Sequence, residues 1–135
     1  MSGLLEEVQP NRSEPKEPES KGPVSKVVGA LVGDIHTDLV ITKYSNTTFV
    51  CVTQLSKFGT LLQVEREQVR SGQDKGKLVY SSTVLLGQDS EELQLLARIL
   101  AEKSQLSHPI ILSVGVKGLT IDLALKLVEF ILQNL

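Results

Sequence analysis

Three side chains with metal-binding chemistry stand close together early in the apolar part of the sequence. Asp34, His36 and Asp38 are spaced at i, i+2 and i+4, and an extended segment would place all three on one face. Two carboxylates and an imidazole are acceptable metal ligands, so a small metal-dependent enzyme is one hypothesis. The pair Gly33-Asp34 is typical of a turn between two strands, however, and this favours a solvated turn without a metal.

The remaining reactive side chains lack the partners that catalysis requires. Cys51, the only cysteine, stands between Val50 and Val52, where we expect a buried and inert thiol. His108 precedes a proline in a loop, with no carboxylate nearby in sequence. Gly87 precedes a predicted helix that could hold a phosphate, but the acidic residues that follow it would repel an anion. The sequence has no nucleophile elbow, P-loop or dinucleotide fingerprint, so we predict a protein that is not an enzyme and has no cofactor or metal.

Composition limits the class of protein and its partners. The chain has 135 residues and a net charge of −2, which is one domain's length and favours neither nucleic acid nor acidic lipid as a partner. No stretch approaches the roughly 18 apolar residues of a membrane helix, and residues 1–10 do not resemble a secretory signal. A single cysteine excludes an internal disulfide. We therefore expect a location in the cytoplasm, with the nucleus as the other choice, and no membrane partner.

The chain divides into a tail and a folded domain. Residues 10–23 hold four of the five prolines and no large apolar side chain, so they cannot bury enough surface to offset the entropy of ordering. We predict a disordered Pro/Glu-rich tail over residues 1–23 and an α+β domain over residues 24–135.

The domain shows short β-branched runs followed by a change to helical periodicity. The apolar run from Phe49 to Val52 predicts a central strand covered on both faces. Asp89 with Glu92 forms a capping-box pattern at the start of the first helix, and Thr120 caps the second. The prediction is a two-layer fold with a mostly antiparallel six-stranded sheet, two helices on one face and the order β-β-β-β-β-α-β-α. The one expected place for a parallel pair is the unit of fifth strand, helix and sixth strand. The predicted strands are 27–32, 38–44, 47–55, 60–65, 78–86 and 110–116, and the helices are 90–104 and 121–135.

The last helix is too apolar for an ordinary surface helix. Its polar residues fall in one narrow stripe, and the rest of its surface is apolar. Two interpretations remain open: a helix sunk in a groove between the sheet and the first helix, or a dimer or partner surface. The candidate partner residues are Leu125, Val128, Phe130 and Leu132, and the edge of the fifth strand is a rival surface.

A long polar segment separates the fourth and fifth strands. From Glu65 to Lys77 the only apolar residue besides glycine is Val69, and loops of this length inside a compact domain are usually functional or mobile. The mixed charges and the five aromatic residues of the whole chain argue against a nucleic-acid surface. They suit a polar protein contact, for which the candidate residues are Arg66, Glu67, Arg70, Asp74, Lys75 and Lys77.

Three segments, in this order, resemble the proteasome assembly chaperone 3 family. The resemblance covers about residues 24–135, and Leu85 to Asp89 is its most specific stretch. The tail is longer than the family needs, and the polar loop matches the family poorly. The segments are Val52-Thr53-Gln54 followed by Lys57-Phe58-Gly59-Thr60-Leu61, then Val84-Leu85-Leu86-Gly87-Gln88-Asp89, and Ile111-Leu112-Ser113-Val114-Gly115-Val116-Lys117.

The resemblance implies a non-catalytic chaperone that promotes assembly of the proteasome core particle. It implies a dimer with a chaperone 4-like partner, with a homodimer as the other choice, and transient binding of α-type subunits during α-ring formation. The polar loop is then the candidate α-subunit contact and the last helix the candidate dimer contact. The alternative is a small dimeric adaptor of roadblock or longin type, although those folds place a helix early and this chain begins with consecutive strands.

Overall fold

A computed structural model describes residues 22–54 and 59–135 of the chain. Residues 1–21 and 55–58 lie outside the described residues, so the predicted tail over residues 1–23 stays a prediction. The elements are β1 (Val24–Val32), β2 (Ile35–Lys43), β3 (Thr48–Thr53), β4 (Thr60–Gln68), β5 (Leu78–Leu86), α1 (Glu91–Ser104), β6 (Ile110–Gly115) and α2 (Ile121–Asn134).

The six strands form one sheet in the spatial order β1-β2-β3-β6-β4-β5. All neighbouring strands are antiparallel except β3 and β6, which run parallel. The predicted fold class, element order and mostly antiparallel sheet are therefore confirmed. The fifth and sixth strands had been the expected place for a parallel pair, and this was wrong because β4 lies between them. The parallel pair is β3 with β6, and β5 reaches β6 through α1 by crossing over β4.

The insertion of β6 follows from its composition. Leu112 is fully buried and Val114 nearly so, and so apolar a strand is most stable between other strands rather than at an edge. Both helices cover the same face of the sheet, and α1 also packs on α2. The core between the layers is made by residues such as Leu39, Ile41, Val50, Val52, Leu62, Leu96, Leu100, Leu112, Leu127 and Ile131.

The hairpin turns have the chemistry that the sequence indicated. Gly33 and Asp34 both have positive φ, 61° and 64°, as a two-residue type I′ turn requires. Between β2 and β3, Tyr44 N donates to Thr47 O at 2.8 Å, which closes a second two-residue turn.

The helix starts agree with the prediction in one case and differ in the other. Thr120 caps α2, because its side chain accepts a hydrogen bond from Leu123 N at 3.1 Å. The cap of α1 is Ser90, which accepts from Leu93 N at 3.1 Å, and not Asp89. Asp89 Oδ1 accepts from the Ser90 amide, so that carboxylate supports the cap from one residue outside the helix.

Candidate protein interface

The face of the sheet opposite the helices carries a row of side chains that are paired from strand to strand, with one register shift at its outer end, between Leu61 and Leu62. The strand ladders pair Val27 with Val40, Val40 with Cys51, Cys51 with Ser113, and Ser113 with Leu61. Leu61 in turn pairs with Leu86 at the outer edge. We call this set, which crosses all six strands, the apolar row: Val27, Val40, Cys51, Ser113, Leu61 and Leu86.

The apolar row is incompletely covered. Val27 is 74% exposed and Leu86 67% exposed at its two ends, and Val40, Cys51 and Leu61 between them are half-buried. The next row contributes the half-buried Phe49 and Ile111, which are neighbours in register. Both helices pack on the other face, so this open face has the composition of an interface rather than of a solvated sheet.

Two expectations about β3 change as a result. The apolar run Phe49–Val52 had predicted a strand covered on both faces, but only Val50 and Val52 are buried under the helices. Cys51 had been expected to be buried, but it lies half-buried on the open face. The open face of β3 therefore needs a covering layer that the described part of this chain does not supply.

One polar atom lies in the middle of the apolar row. Ser113 is fully buried, and its hydroxyl has no hydrogen-bond partner. A buried unpaired hydroxyl destabilises the fold that contains it. It is the one such side-chain atom among the described residues.

The polar segment after β4 is shorter than the sequence suggested. Arg66–Gln68 had been predicted as loop, but these residues continue β4 and pair with Leu78–Tyr80. The loop itself is tied down, because Val69 N donates to Lys77 O and Gly76 N to Val69 O. Gly76 at φ 89° allows this bulged closure. A charged β-ribbon with a compact tip therefore replaces the long loop that had been expected.

The structure divides the candidate contact residues of this segment among three positions. Arg66 is half-buried on the face shared with the helices, and Glu67 is exposed on the opposite face, because successive side chains of a strand alternate. The tip carries two exposed cations and an anion, Arg70, Lys75 and Asp74. Lys77 lies directly before β5. The tip cations, and not the whole segment, form one surface.

The four candidate partner residues of α2 also separate. Val128 is 3% and Phe130 8% exposed, so both belong to the core and neither offers a surface. The helix is sunk against the sheet and α1, which was the other interpretation of its composition. Leu125 is 47% exposed and Leu132 is half-buried, and for these two a partner contact stays a prediction.

The early acidic and histidine residues do not form a metal site. His36 Nε2 lies 2.9 Å from Asp38 Oδ1 on the open face, whereas Asp34 belongs to the turn. Among residues 22–54 and 59–135, no group of three or more His, Cys, Asp and Glu side chains is placed to hold a metal ion. His108, the other histidine, bonds Thr48 Oγ1 at 2.7 Å and joins the start of β3 to the loop before β6.

No helix in the described residues has the length and apolar character needed to span a membrane.

The apolar row is the feature that sequence reasoning missed. Each of its residues except Ser113 was visible as an apolar position in a strand, but the row exists only because β6 places Ser113 between Cys51 and Leu61. The available signal was the excess of apolar residues on both faces of β3. Without the strand order, this signal cannot show which residues line up across the sheet.

Comparison with known proteins shows which proteins this chain resembles in sequence and in fold. Proteins named proteasome assembly chaperone 3 are 39% identical over 72 residues in Nematostella vectensis, covering 50% of this chain and 53% of that protein. In Homo sapiens the identity is 34% over 102 residues, covering 73% and 82%. A chain in the crystal structure of a chaperone complex for yeast 20S proteasome assembly shares the fold, with a TM-score of 0.56 at 12% identity over 82% of this chain and 94% of that one.

The family model for proteasome assembly chaperone 3 matches residues 50–134. This match runs from the middle of β3 to the end of α2, and so includes β6, both helices and most of the sheet. The matched part of the Nematostella vectensis relative is only about half of that protein. The chain belongs to the proteasome assembly chaperone 3 family.

Proposed function

We propose that this protein is a non-catalytic chaperone that promotes assembly of the proteasome core particle. In this role it binds α-type subunits while the α-ring forms, as a dimer with a related chaperone 4-like protein, and is then released. Family membership supports a role in proteasome assembly, and an assembly factor needs binding surfaces rather than catalytic side chains. The expected cytoplasmic location stays a prediction.

The apolar row is the observation that supports the proposed dimer. A sheet whose two faces both carry apolar side chains is most stable with a layer on each side, and here the helices provide only one layer. A second sheet packing face to face, with an interlayer distance of about 10 Å, would bury the row and its neighbours Phe49 and Ile111. We therefore assign the chaperone partner to the open face rather than to α2.

A pair of matched substitutions tests this assignment. Val27→Asp places a carboxylate on the open face, and Leu125→Asp places one on the exposed side of α2. Both parent side chains are exposed in the single chain, at 74% and 47%, so neither change removes core packing. Burying an aliphatic side chain is worth about 1.5–3 kcal/mol, so Val27→Asp should weaken dimerisation by at least about tenfold.

The assay is co-expression with the chaperone 4-like protein, followed by light scattering on a sizing column. We expect Val27→Asp to shift the complex toward monomers and Leu125→Asp to leave it intact. If only Leu125→Asp dissociates the complex, the interface lies on α2. If neither variant dissociates it, the interface lies on neither surface.

The α-subunit contact is proposed for the tip of the β4–β5 ribbon. Arg70 and Lys75 are exposed there, and exposed charges of this kind set specificity and association rate. Replacing both with glutamate should reduce capture of free α-type subunits while leaving dimerisation unchanged. The control is Lys117→Glu, which makes the same charge reversal at an exposed lysine in the turn before α2.

The client itself is tested by purification from cells with mass spectrometry. We expect free α-type subunits and half-assembled rings to co-purify with the protein, and mature core particles to be absent. Recovery with mature particles alone, or with no proteasome subunit, would contradict the proposed function.

A further inference from the structure

The outer edge of β5 is unusual for an edge strand. In the described residues β5 pairs only with β4. Its nine residues, Leu78–Leu86, include no charge and no proline, although exposed edges are normally protected by such residues or by a covering element. The other edge strand, β1, carries Lys26 and Gly29. An edge this long and uncharged is a ready template for another strand.

The alternation of hydrogen bonds along β5 shows which of its main-chain N–H and C=O groups point toward β4 and which point outward. Val69 N donates to Lys77 O at 2.9 Å, so Val69 and Lys77 form a hydrogen-bonded pair of the antiparallel ladder. Such pairs alternate along two strands, and the register therefore directs the amides of Val79 and Ser81 toward β4. The N–H and C=O groups of Leu78, Tyr80 and Ser82 consequently point outward, away from the sheet.

A groove of about 550 Å³ runs along this edge, between β5 and α1. Every residue from Lys77 to Ser82 lines it. Because strand side chains alternate between faces, a continuous run of this kind means that main-chain atoms form part of the wall. The opposite wall is made by Gln94, Arg98 and Glu102 of α1.

The groove provides subsites as well as hydrogen bonds. Val64 is buried at its floor, and Leu78, 44% exposed, and the half-buried Tyr80 offer apolar surface beside it. Ser82 Oγ bonds Gln94 Oε1, which joins the two walls at one end. An extended peptide laid along β5 would direct alternate side chains onto Tyr80 and Leu78.

The charges beside the groove favour an acidic occupant. Arg98 lines it, and Arg66 lies on the same face of the ribbon, opposite Tyr80, whereas the side chain of Lys77 alternates with Leu78 and points to the other face. The single facing anion, Glu102, is 3.5 Å from Arg98. Glu65 and Glu67 point to the other face of the sheet, because they alternate with Arg66. The groove side therefore carries two cations, Arg66 and Arg98, against one anion.

We propose that this groove binds an extended acidic segment of a partner protein, which adds to β5 as a seventh strand. A second copy of this chain is a poorer occupant, because pairing β5 with β5 would bring two sets of Arg66 and Arg98 together. The inference does not depend on the client being an α-type subunit.

The probe is a fluorescein-labelled nonapeptide in which every second residue is serine and the residues between are glutamate and valine in turn, so that glutamate and valine share the face toward the groove; it is titrated onto the full chain. Two counterparts separate the contributions: one with lysine for every glutamate, and one with alternate amides N-methylated so that they cannot donate. We expect the acidic peptide to bind, and both counterparts to bind about tenfold more weakly or not at all. Arg98→Glu should weaken the acidic peptide by about fivefold to tenfold, and Lys117→Glu should leave it unchanged.

Amide hydrogen exchange by NMR locates the binding. The amides of Leu78, Tyr80 and Ser82 should exchange rapidly in the free chain and become protected when the acidic peptide is added, whereas Val79 and Ser81 are already protected. Absence of binding, or new protection confined to β1, would overturn the proposal. Protection of the three outward amides before peptide is added would also overturn it. In that case, protection that rises with protein concentration would mean that a second copy covers the edge. Protection that does not depend on concentration would mean that a segment of the same chain covers it.

Discussion

Gly87 is a position at which one added methyl group should have a large effect on stability. A Cβ built there would lie 2.8 Å from both Cα and Oγ1 of Thr60, and Gly87 has φ 104°. Thr60 cannot move freely, because its hydroxyl donates to Gln88 O at 2.9 Å and accepts from Gln88 N at 3.2 Å. Gly87→Ala therefore combines backbone strain with a clash against the start of β4.

The two contributions can be separated by a matched glycine. Gly72 has φ 89°, but a Cβ there meets nothing within 4 Å. Backbone strain from positive φ costs about 1–2 kcal/mol for an L-residue, and overpacking adds about 1–3 kcal/mol. We expect Gly72→Ala to lose only the first amount, and Gly87→Ala to lose about 2–5 kcal/mol in all.

The measurement is urea unfolding of the full chain at 25 °C, followed by circular dichroism, with an unchanged m-value required for each variant. For a chain of this size each kcal/mol lowers Tm by about 3–6 °C, so a thermal scan gives an independent check. Equal losses for the two glycines would refute the reasoning, because they would show that the close approach to Thr60 has no energetic consequence. A loss confined to Gly87 would assign a structural role to the stretch from Leu85 to Asp89, the part of the sequence that most resembles the family.

Two further substitutions test local features of the fold. Ser90→Ala should destabilise the chain by about 1 kcal/mol because it removes the cap of α1, and Ser90→Asp should retain the stability, since a carboxylate accepts the same hydrogen bond; urea unfolding measures both, and no loss for alanine would contradict the cap. Ser113→Ala should leave stability unchanged or raise it by up to about 1 kcal/mol, because the hydroxyl is buried and unpaired. A loss above 1 kcal/mol in the same assay would show that the hydroxyl has a partner.

Local patterns predicted the elements of this fold well, but non-local pairing needed the structure. The turn at Gly33-Asp34, the α2 cap at Thr120 and the order of strands and helices follow from residue types over a few positions. The place of β6 does not, because β3 and β4 are adjacent in sequence and nothing between them signals that they separate. Only the relative burial of whole strands decides that β6 belongs between them.

The candidate surfaces were predicted less well, for a related reason. Excess apolar character in α2 and in β3 was correctly noticed, but a sequence does not show whether it is satisfied inside the chain. In α2 it is, because Val128 and Phe130 complete the core. In β3 it is not, because the side chains of Phe49 and Cys51 lie on the face that no helix covers. Helical and strand periodicity alone cannot distinguish these two cases.

The three proposed contacts are arranged so that they do not compete for the same surface. β6 pairs with β4 only as far as Val64, so Glu65–Gln68 and their partners in β5 extend beyond β6 as a two-stranded ribbon. The tip of this ribbon, with Arg70 and Lys75, lies away from the centre of the apolar row, and the β5 groove lies on the helix side of the sheet. A chaperone dimer held through the open face would therefore leave both the tip and the groove accessible. Charge reversal at the tip should then lower client capture by the dimer and by an isolated monomer to the same extent. No loss in either form would mean that this ribbon does not meet the client.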